Sequence, residues 1–172
     1  MKDRMYSWIN PSLEVKKTKL YGGGIYSISN IKKEALLAIF GGYVMTAQEE
    51  SKLPNLIRDL AHQIHENFVI GIRDPKRIQS VDMFNHSCEP NAGFNGQIFL
   101  VAIKNIKKNE QITFDYAMVL HKSKNVKLYE MKCVCGLKNC RKIITDNDWK
   151  NKALQKKYKG YFQYYLEQKI KS

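Results

Sequence analysis

The residues best suited to chemistry are one polar stretch and four cysteines. Residues 85–88 read Asn-His-Ser-Cys and directly follow the apolar run at residues 80–84, so polar side chains arrive at the end of what reads as buried chain. Buried polar groups need hydrogen-bond partners, and a bound polar ligand can supply them where the protein does not. The four cysteines are Cys88, Cys133, Cys135 and Cys140.

The spacing of the cysteines indicates a metal site. A disulfide framework is unusual in a chain of 172 residues that shows no secretion signal. Three of the cysteines lie close together, and the distant Cys88 can complete a four-thiolate site that ties the late segment to the Asn-His stretch. Thiolates alone allow either zinc or an iron–sulfur cluster.

Short strands separated by turns dominate the predicted secondary structure. Strands are predicted at residues 20–21, 25–28, 36–40, 69–72, 97–103 and 111–114. Helices are predicted in two places. Thr46 and Glu49 have capping-box spacing for a helix that runs to Phe68, which Pro54 would delay or kink, and Asp148 can cap a C-terminal helix with an apolar face. We expect that face to pack on the domain, with a partner-binding helix as the alternative, and the class to be mainly β.

Size and charge limit the classes of protein. The 172 residues, 44% of them hydrophobic, predict one domain with one core. No apolar run has membrane-spanning length and residues 1–8 lack a signal-peptide core, so we expect a soluble protein made in a cytoplasm, without membrane contact. The net charge of +13 suits a nucleic acid or nucleoprotein partner, or else a lysine-rich proteome, because the lysines are scattered in pairs.

Four motifs in order resemble those of the SET-domain lysine methyltransferases with a post-SET zinc motif. They are the glycine-bearing residues 21–27, the Asn-His stretch 85–91, residues 110–116 and the Cys-x-Cys-x4-Cys of residues 133–140. The resemblance, which runs from about residue 19 to 141, implies small sheets around a knot-like crossing. It divides one domain into an N-terminal extension (1–15), the SET domain (16–120), a zinc segment (121–145) and a packed C-terminal helix (146–172).

The resemblance also implies roles for individual residues. The family's S-adenosylmethionine ligands fall on Gly22, Gly23, Gly24, Asn85, His86 and Tyr116. Its zinc ligands fall on Cys88, Cys133, Cys135 and Cys140, so zinc is favoured and needs no histidine. Tyr116 matches the catalytic tyrosine, and Phe114 and Phe94 would wall the lysine channel. Without this context, the glycines read as a hairpin turn and residues 114–116 as a strand end. Structural or surface roles are predicted for the remaining histidines, His62, His65 and His121.

Methyl transfer to a lysine amine requires alignment and a neutral nucleophile. The amine, whose unperturbed pKa is about 10.4, must lose its proton, and an apolar channel beside a sulfonium favours the neutral form. In the family, a phenylalanine two residues before the catalytic tyrosine leaves room for more than one methyl group. Phe114 therefore implies a product beyond monomethyl-lysine.

The predicted function is S-adenosylmethionine-dependent methylation of a protein lysine. The substrate would be a histone, a DNA-packaging protein, a ribosomal protein or another basic protein. One alternative is a catalytically inactive zinc module that binds a basic or nucleic-acid-associated partner, and another is methylation of something other than protein lysine. The compartment would be the cytoplasm of a bacterium, or else a nucleus, including that of a host. The oligomeric state and the target lysine stay open.

Overall fold

Short strands make up most of the regular structure, so the predicted mainly β class is confirmed. A computed structural model describes residues 6–18 and 22–172. The strands are β1 Trp8–Ile9, β2 Leu13–Thr18, β3 Gly22–Ser27, β4 Leu36–Ile39, β5 Tyr43–Thr46, β6 His62–His65, β7 Phe68–Gly71, β8 Asn85–His86, β9 Ala92–Asn95, β10 Phe99–Ala102, β11 Gln111–Phe114, β12 Glu130–Lys132 and β13 Ile143–Thr145. The strand predicted at residues 20–21 lies outside the described residues.

The helices are few and short. The α-helices are α1 Ala47–Glu50, α2 Asn55–Arg58, α3 Lys152–Lys157 and α4 Tyr164–Lys171. Single 3₁₀ turns occur at Pro75–Arg77, Ser80–Met83, Tyr116–Met118 and Asp148–Lys150. Among residues 6–18 and 22–172, no helix has both the length and the apolar character that crossing a membrane requires.

Two four-stranded sheets form the body of the molecule. One has the strand order β1-β4-β10-β9 and the other β2-β3-β11-β8, while β5-β7-β6 and β12-β13 form smaller sheets. Both β1 and part of β2 come from the proposed N-terminal extension, residues 1–15, and pair with β4 and β3. The apolar core between these elements includes the fully buried side chains Ile25, Leu37, Phe94, Leu100, Ile112 and Leu166. Since Leu166 belongs to α4, the C-terminal segment shares this core.

One parallel pair of strands brings the Asn-His stretch to the end of β11. Thr113 lies opposite Asn85, and Phe114 lies opposite His86. Asn91, which is buried, fixes this junction because its side-chain amide donates to the Gln111 carbonyl at 2.8 Å and accepts from the Thr113 N–H at 3.0 Å. Two segments that are distant in sequence therefore meet immediately before Tyr116.

The helix predicted from Thr46 to Phe68 is wrong beyond its first turn. The capping box is present: the Glu49 carboxylate accepts from the Thr46 N–H at 2.8 Å, and the Thr46 hydroxyl accepts from the Glu49 N–H at 3.1 Å. Pro54 then starts a separate helix, α2, and the chain continues as the hairpin β6–β7. Of the apolar residues that look helically spaced, Leu56 and Ile57 lie in α2, whereas Ile64 and Phe68 lie in β6 and β7, because β7 also pairs with β5 and tertiary pairing overrides local pattern.

The single C-terminal helix capped by Asp148 is also wrong. The Asp148 carboxylate accepts hydrogen bonds from Arg141 and Thr145 rather than from a helix N-terminus. Asn151 caps α3 instead, accepting from two main-chain N–H groups. Gly160, at φ +85°, takes the left-handed conformation between α3 and α4, which interrupts the helix.

Candidate active site

A cavity of about 850 Å³ lies beside the parallel β8–β11 pair. Four of the predicted site residues line it, namely Gly23, Asn85, Phe114 and Tyr116. The other predicted cofactor and channel residues, Gly22, Gly24, His86 and Phe94, do not line it. The volume is in the range of cavities that enclose a cofactor together with a side chain of a substrate.

The glycine stretch and Asn85 form one corner of the cavity. The Asn85 side-chain amide donates to the Gly23 carbonyl at 2.8 Å. A Cβ atom on Gly24 would lie 2.6 Å from Nε2 of Gln111, so a side chain here would displace the Gln111 side chain. That Nε2 atom is buried and has no hydrogen-bond partner in the described part of the chain. The unpaired Gln111 amide lies beside β3, which begins with three glycines, and this combination fits a polar ligand such as S-adenosylmethionine.

Tyr116 is fixed at the same corner. Its hydroxyl donates to the Phe84 carbonyl at 3.5 Å, and its main-chain N–H donates to Nδ1 of His86 at 3.2 Å. Both partners belong to the segment that leads into and forms β8. The structure therefore places the predicted catalytic hydroxyl beside the Asn-His stretch.

His86 joins the tyrosine to the cysteines. Its ring is 1% exposed, and burial lowers its pKa to about 4, so the imidazole is neutral. Because Nδ1 accepts from Tyr116, the proton is on Nε2, which faces Sγ of Cys88 at 3.4 Å. Both ring nitrogens are thus engaged within the protein, and a cofactor contact by His86 stays a prediction.

The predicted grouping of the four cysteines is confirmed. The Sγ atoms of Cys88, Cys133, Cys135 and Cys140 all lie within 4.8 Å of one another. Sγ of Cys88 is 3.9 Å from Sγ of Cys133, close to the separation of about 3.8 Å that a tetrahedral zinc ion with four sulfur ligands imposes. Burial raises the pKa of both these thiols, so a cation is needed to hold them as thiolates. The residues present therefore fit Zn²⁺.

A buried ion pair connects the cysteine segment to the residue before Tyr116. Asp115 has a side-chain exposure of 0% and accepts two hydrogen bonds of 2.6 Å from the Arg141 guanidinium. The same guanidinium donates to Asp148 at 3.0 Å, and the Arg141 N–H donates to Sγ of Cys88 at 3.4 Å. This network was not predicted from the sequence. One feature could have indicated it: Asp115 lies between Phe114 and Tyr116 at the end of a predicted strand, and a buried carboxylate needs a cation as its partner.

Aromatic rings form the wall beyond Tyr116. The Phe114 ring lies 5.1 Å from the Tyr116 ring and 5.4 Å from the Phe94 ring. The His62 ring stacks on Phe40 at 3.8 Å, lies 5.9 Å from Phe114 and lines the cavity. Burial lowers the pKa of His62 to about 4, so this ring is neutral as well. Sequence analysis predicted no role for His62 in the site, because nothing local distinguishes it from His65, which is exposed.

Five acidic residues also line the cavity, although the chain as a whole is basic. They are Glu50, Asp59, Asp82, Glu130 and Asp146. Burial, and to a lesser extent the nearby Asp59 carboxylate, raises the pKa of Glu50 to about 7. Arg58 and Lys127 also line the cavity.

Known proteins with similar sequences are named as SET-domain proteins or histone-lysine N-methyltransferases. The chain is 30% identical over 147 residues to a variant-silencing SET domain-containing protein of Plasmodium falciparum, covering 74% of this chain and 5% of that protein. It is 30% identical over 149 residues to the histone-lysine N-methyltransferase SUV39H2 of Xenopus tropicalis, covering 70% of this chain and 36% of that protein. The chain thus spans about a third or less of the length of these relatives.

Solved structures share the fold. A structure of KRYPTONITE in complex with mCHG DNA and SAH has a TM-score of 0.56 and 25% identity, covering 76% of this chain and 28% of that one. Arabidopsis thaliana SUVH6 in complex with SAM has a TM-score of 0.61 and 21% identity, covering 78% and 33%. The family model described as SET domain matches residues 22–117, which is more than half of the sequence. With its fold, cavity and cysteine cluster in agreement, the chain belongs to the SET-domain family.

Proposed function

We propose that the protein transfers a methyl group from S-adenosylmethionine to the side-chain amine of a lysine in a protein substrate. The observation that carries the proposal is the position of the Tyr116 hydroxyl, 3.5 Å from the Phe84 carbonyl, in a cavity that Asn85 and Gly23 also line. Relatives named as histone-lysine N-methyltransferases, and a neighbouring structure in complex with SAM, support the same activity.

The cofactor, when bound, supplies a methyl group attached to a positively charged sulfur. The glycine corner gives it room, since Gly23 and Gly24 place no side chain there, and Asn85 holds that strand in place. Phe114, whose ring packs against Phe94, forms an apolar wall of the cavity that excludes water and disfavours the charged form of the lysine amine. The Tyr116 hydroxyl orients the amine toward the methyl carbon, which is the main requirement of an in-line displacement.

We infer that the four cysteines bind one zinc ion with a structural role. The ion would join Cys88, next to the catalytic corner, to the segment that contains Cys133, Cys135 and Cys140. A closed four-thiolate set leaves no open coordination position for substrate. The ion therefore stabilises the wall of the site and takes no part in the transfer.

The product would extend beyond monomethyl-lysine. Phe114 carries no hydroxyl that could hold a water molecule or the amine in the space that a second methyl group needs. The ring is buried, with exposure of 3%, and packs against Phe94 and Tyr116. An apolar wall of this kind accepts additional methyl groups more readily than a hydrogen-bonding wall does.

The substrate would be a basic protein, such as a histone, a DNA-packaging protein or a ribosomal protein. The carboxylates that line the cavity, among them Glu50, Asp59 and Glu130, complement lysine and arginine residues that flank a target lysine. A solved structure of KRYPTONITE, 24% identical to this chain, is a complex that contains an H3(1-15) peptide.

The activity is tested by incubating the protein with methyl-labelled S-adenosylmethionine and a protein extract. We expect label in one or a few proteins, and Tyr116→Phe should lower the rate about a hundredfold or more, because a single oriented hydroxyl contributes on that scale. Calorimetric titration with S-adenosylmethionine distinguishes the enzyme from an inactive binding module. Binding by both the native protein and Tyr116→Phe supports the proposal, whereas absence of binding by the native protein contradicts it.

A further inference from the structure

Residues 131–160 carry more than half of the excess positive charge of the chain. The segment contains nine lysines and arginines against two aspartates, a net charge of +7 out of +13. Both aspartates serve internal contacts: Asp146 is buried, and Asp148 accepts from the Arg141 guanidinium at 3.0 Å. The solvent-facing side of this segment therefore presents cations without carboxylates of its own.

The lysines of the segment are all exposed. They are Lys132, Lys138, Lys142, Lys150, Lys152, Lys156, Lys157 and Lys159. Lys152 and Lys156 are four residues apart on α3 and so lie on the same face of the helix. Like charges at this spacing destabilise a helix, and an anion bound across them relieves the repulsion.

A contact around Glu89 joins three parts of the chain into one surface. Nζ of Lys157 lies 2.6 Å from the Glu89 carboxylate. Lys157 first, and then the Asn139 side chain and the Lys104 charge, lower the pKa of Glu89. Lys104, which follows β10, and Asn139, which belongs to the cysteine segment, are therefore neighbours of α3. We call the surface formed by Lys104, Lys152, Lys156 and Lys157 the basic face.

We propose that the basic face binds the phosphodiester backbone of a double-stranded nucleic acid. Evenly spaced phosphates suit several mobile ammonium groups, and release of their counterions supplies the binding free energy. Among residues 152–157 no large apolar side chain is exposed, so α3 has nothing to insert into a lipid bilayer. Glu89 directly follows Cys88, so a duplex on the basic face would lie next to the cysteine cluster. The proposal does not depend on methyl transfer.

The test measures binding of short fluorescently labelled DNA and RNA duplexes to the full chain at several salt concentrations. We expect affinity that falls steeply with salt, because the slope of log affinity against log salt is about 0.9 per phosphate neutralised. The double variant Lys152→Glu, Lys156→Glu should bind at least tenfold more weakly, with a slope smaller by about two. Either duplex giving this result supports the proposal, and the comparison identifies the nucleic acid.

The matched control is Lys76→Glu, Lys108→Glu, which changes the net charge equally at two exposed positions outside the basic face. This control should keep most of the affinity of the native chain. Equal losses in the two double variants would mean that binding follows net charge alone, and would overturn the proposal. It is likewise overturned if neither duplex binds, or if vesicles containing phosphatidylserine bind and duplexes do not. Circular dichroism and S-adenosylmethionine affinity should be unchanged in both variants, which separates this result from failure of the proposed enzyme.

Discussion

At the scale of single residues, Tyr116 is positioned by groups from another segment. Its N–H donates to His86 and its hydroxyl to the Phe84 carbonyl, so the ring is positioned by β8 and the residue before it. Tyr116 and His86 were predicted because their motifs resemble those of the SET-domain family. No role in the site was predicted for His62, which reaches the cavity only through the hairpin β6–β7. A residue whose surroundings arise from distant pairing leaves no local signal.

Phe114→Tyr tests the wall of the lysine channel. A phenol at this position adds a hydroxyl that can hold water or the amine where a second methyl group would lie, so products should shift toward monomethyl-lysine. Mass spectrometry of the methylated substrate measures the distribution. Phe99→Tyr, at an exposed strand position, makes the same chemical change elsewhere and should leave the distribution unaltered. An unchanged distribution in Phe114→Tyr would contradict the assignment.

The raised pKa of Glu50 predicts that substrate binding depends on pH. Its pKa is raised from the ordinary value of 4.5 to about 7, chiefly by burial, so it becomes charged as the pH rises through about 7. The Michaelis constant for a lysine peptide with basic neighbours should fall over that range, by up to about fivefold, since a partly exposed ion pair is worth about 1 kcal/mol or less. Glu50→Gln should remove this component of the pH profile.

The control for this profile is Glu14→Gln, which removes an exposed carboxylate paired with Lys16 outside the cavity. Its profile should match that of the native protein, including the part that comes from the substrate amine. If Glu50→Gln also matches the native profile, Glu50 does not contact the substrate.

At the scale of elements, the parallel β8–β11 pair and the cysteine segment assemble the site. β11 was predicted from its own residues, but β8 and the parallel register of Phe114 with His86 were not, because pairing across distant segments depends on the whole fold. The ion pair between Asp115 and Arg141 could not be predicted locally either. Its partners are 26 residues apart, and only burial of the carboxylate reveals that they must meet.

Arg141→Met should destabilise the protein by about 3 kcal/mol, because it leaves the buried Asp115 carboxylate without its cation. Urea unfolding monitored by tryptophan fluorescence measures the change. Lys157→Met breaks an ion pair with Glu89 whose partners are about 40% exposed, and should cost at most about 1 kcal/mol. Adding Asp115→Asn to Arg141→Met should recover part of the loss. Equal effects of the two single variants would mean that the network around Asp115 is not important for stability.

At the scale of the whole molecule, the mainly β class followed from many short strand patterns, and the four-thiolate cluster from cysteine spacing. The two long helices were wrong for a physical reason. Apolar residues from Leu56 to Phe68 fit a helical period, but pairing of β7 with both β5 and β6 stabilises a sheet instead. In the C-terminal segment, the apolar pattern predicted one helix, but the helix begins at the N-cap Asn151 and Gly160 separates α3 from α4.

Removal of the metal should affect the molecule locally first. A strong chelator should increase hydrogen exchange in residues 130–145, where β12 and β13 flank the cysteine segment, and lower methyl transfer in parallel. Zinc content, measured by elemental analysis, should be one ion per chain before treatment. If protection from exchange and methyl-transfer activity are both unchanged after all metal has been removed, the cluster needs no ion.

The most direct test of the central claim is tandem mass spectrometry of the protein that receives label from S-adenosylmethionine. We predict one or more methyl groups on a lysine Nζ in the native reaction, and a methylation rate lower by about a hundredfold or more with Tyr116→Phe. Methylation at another atom, or equal methylation by Tyr116→Phe, would contradict it.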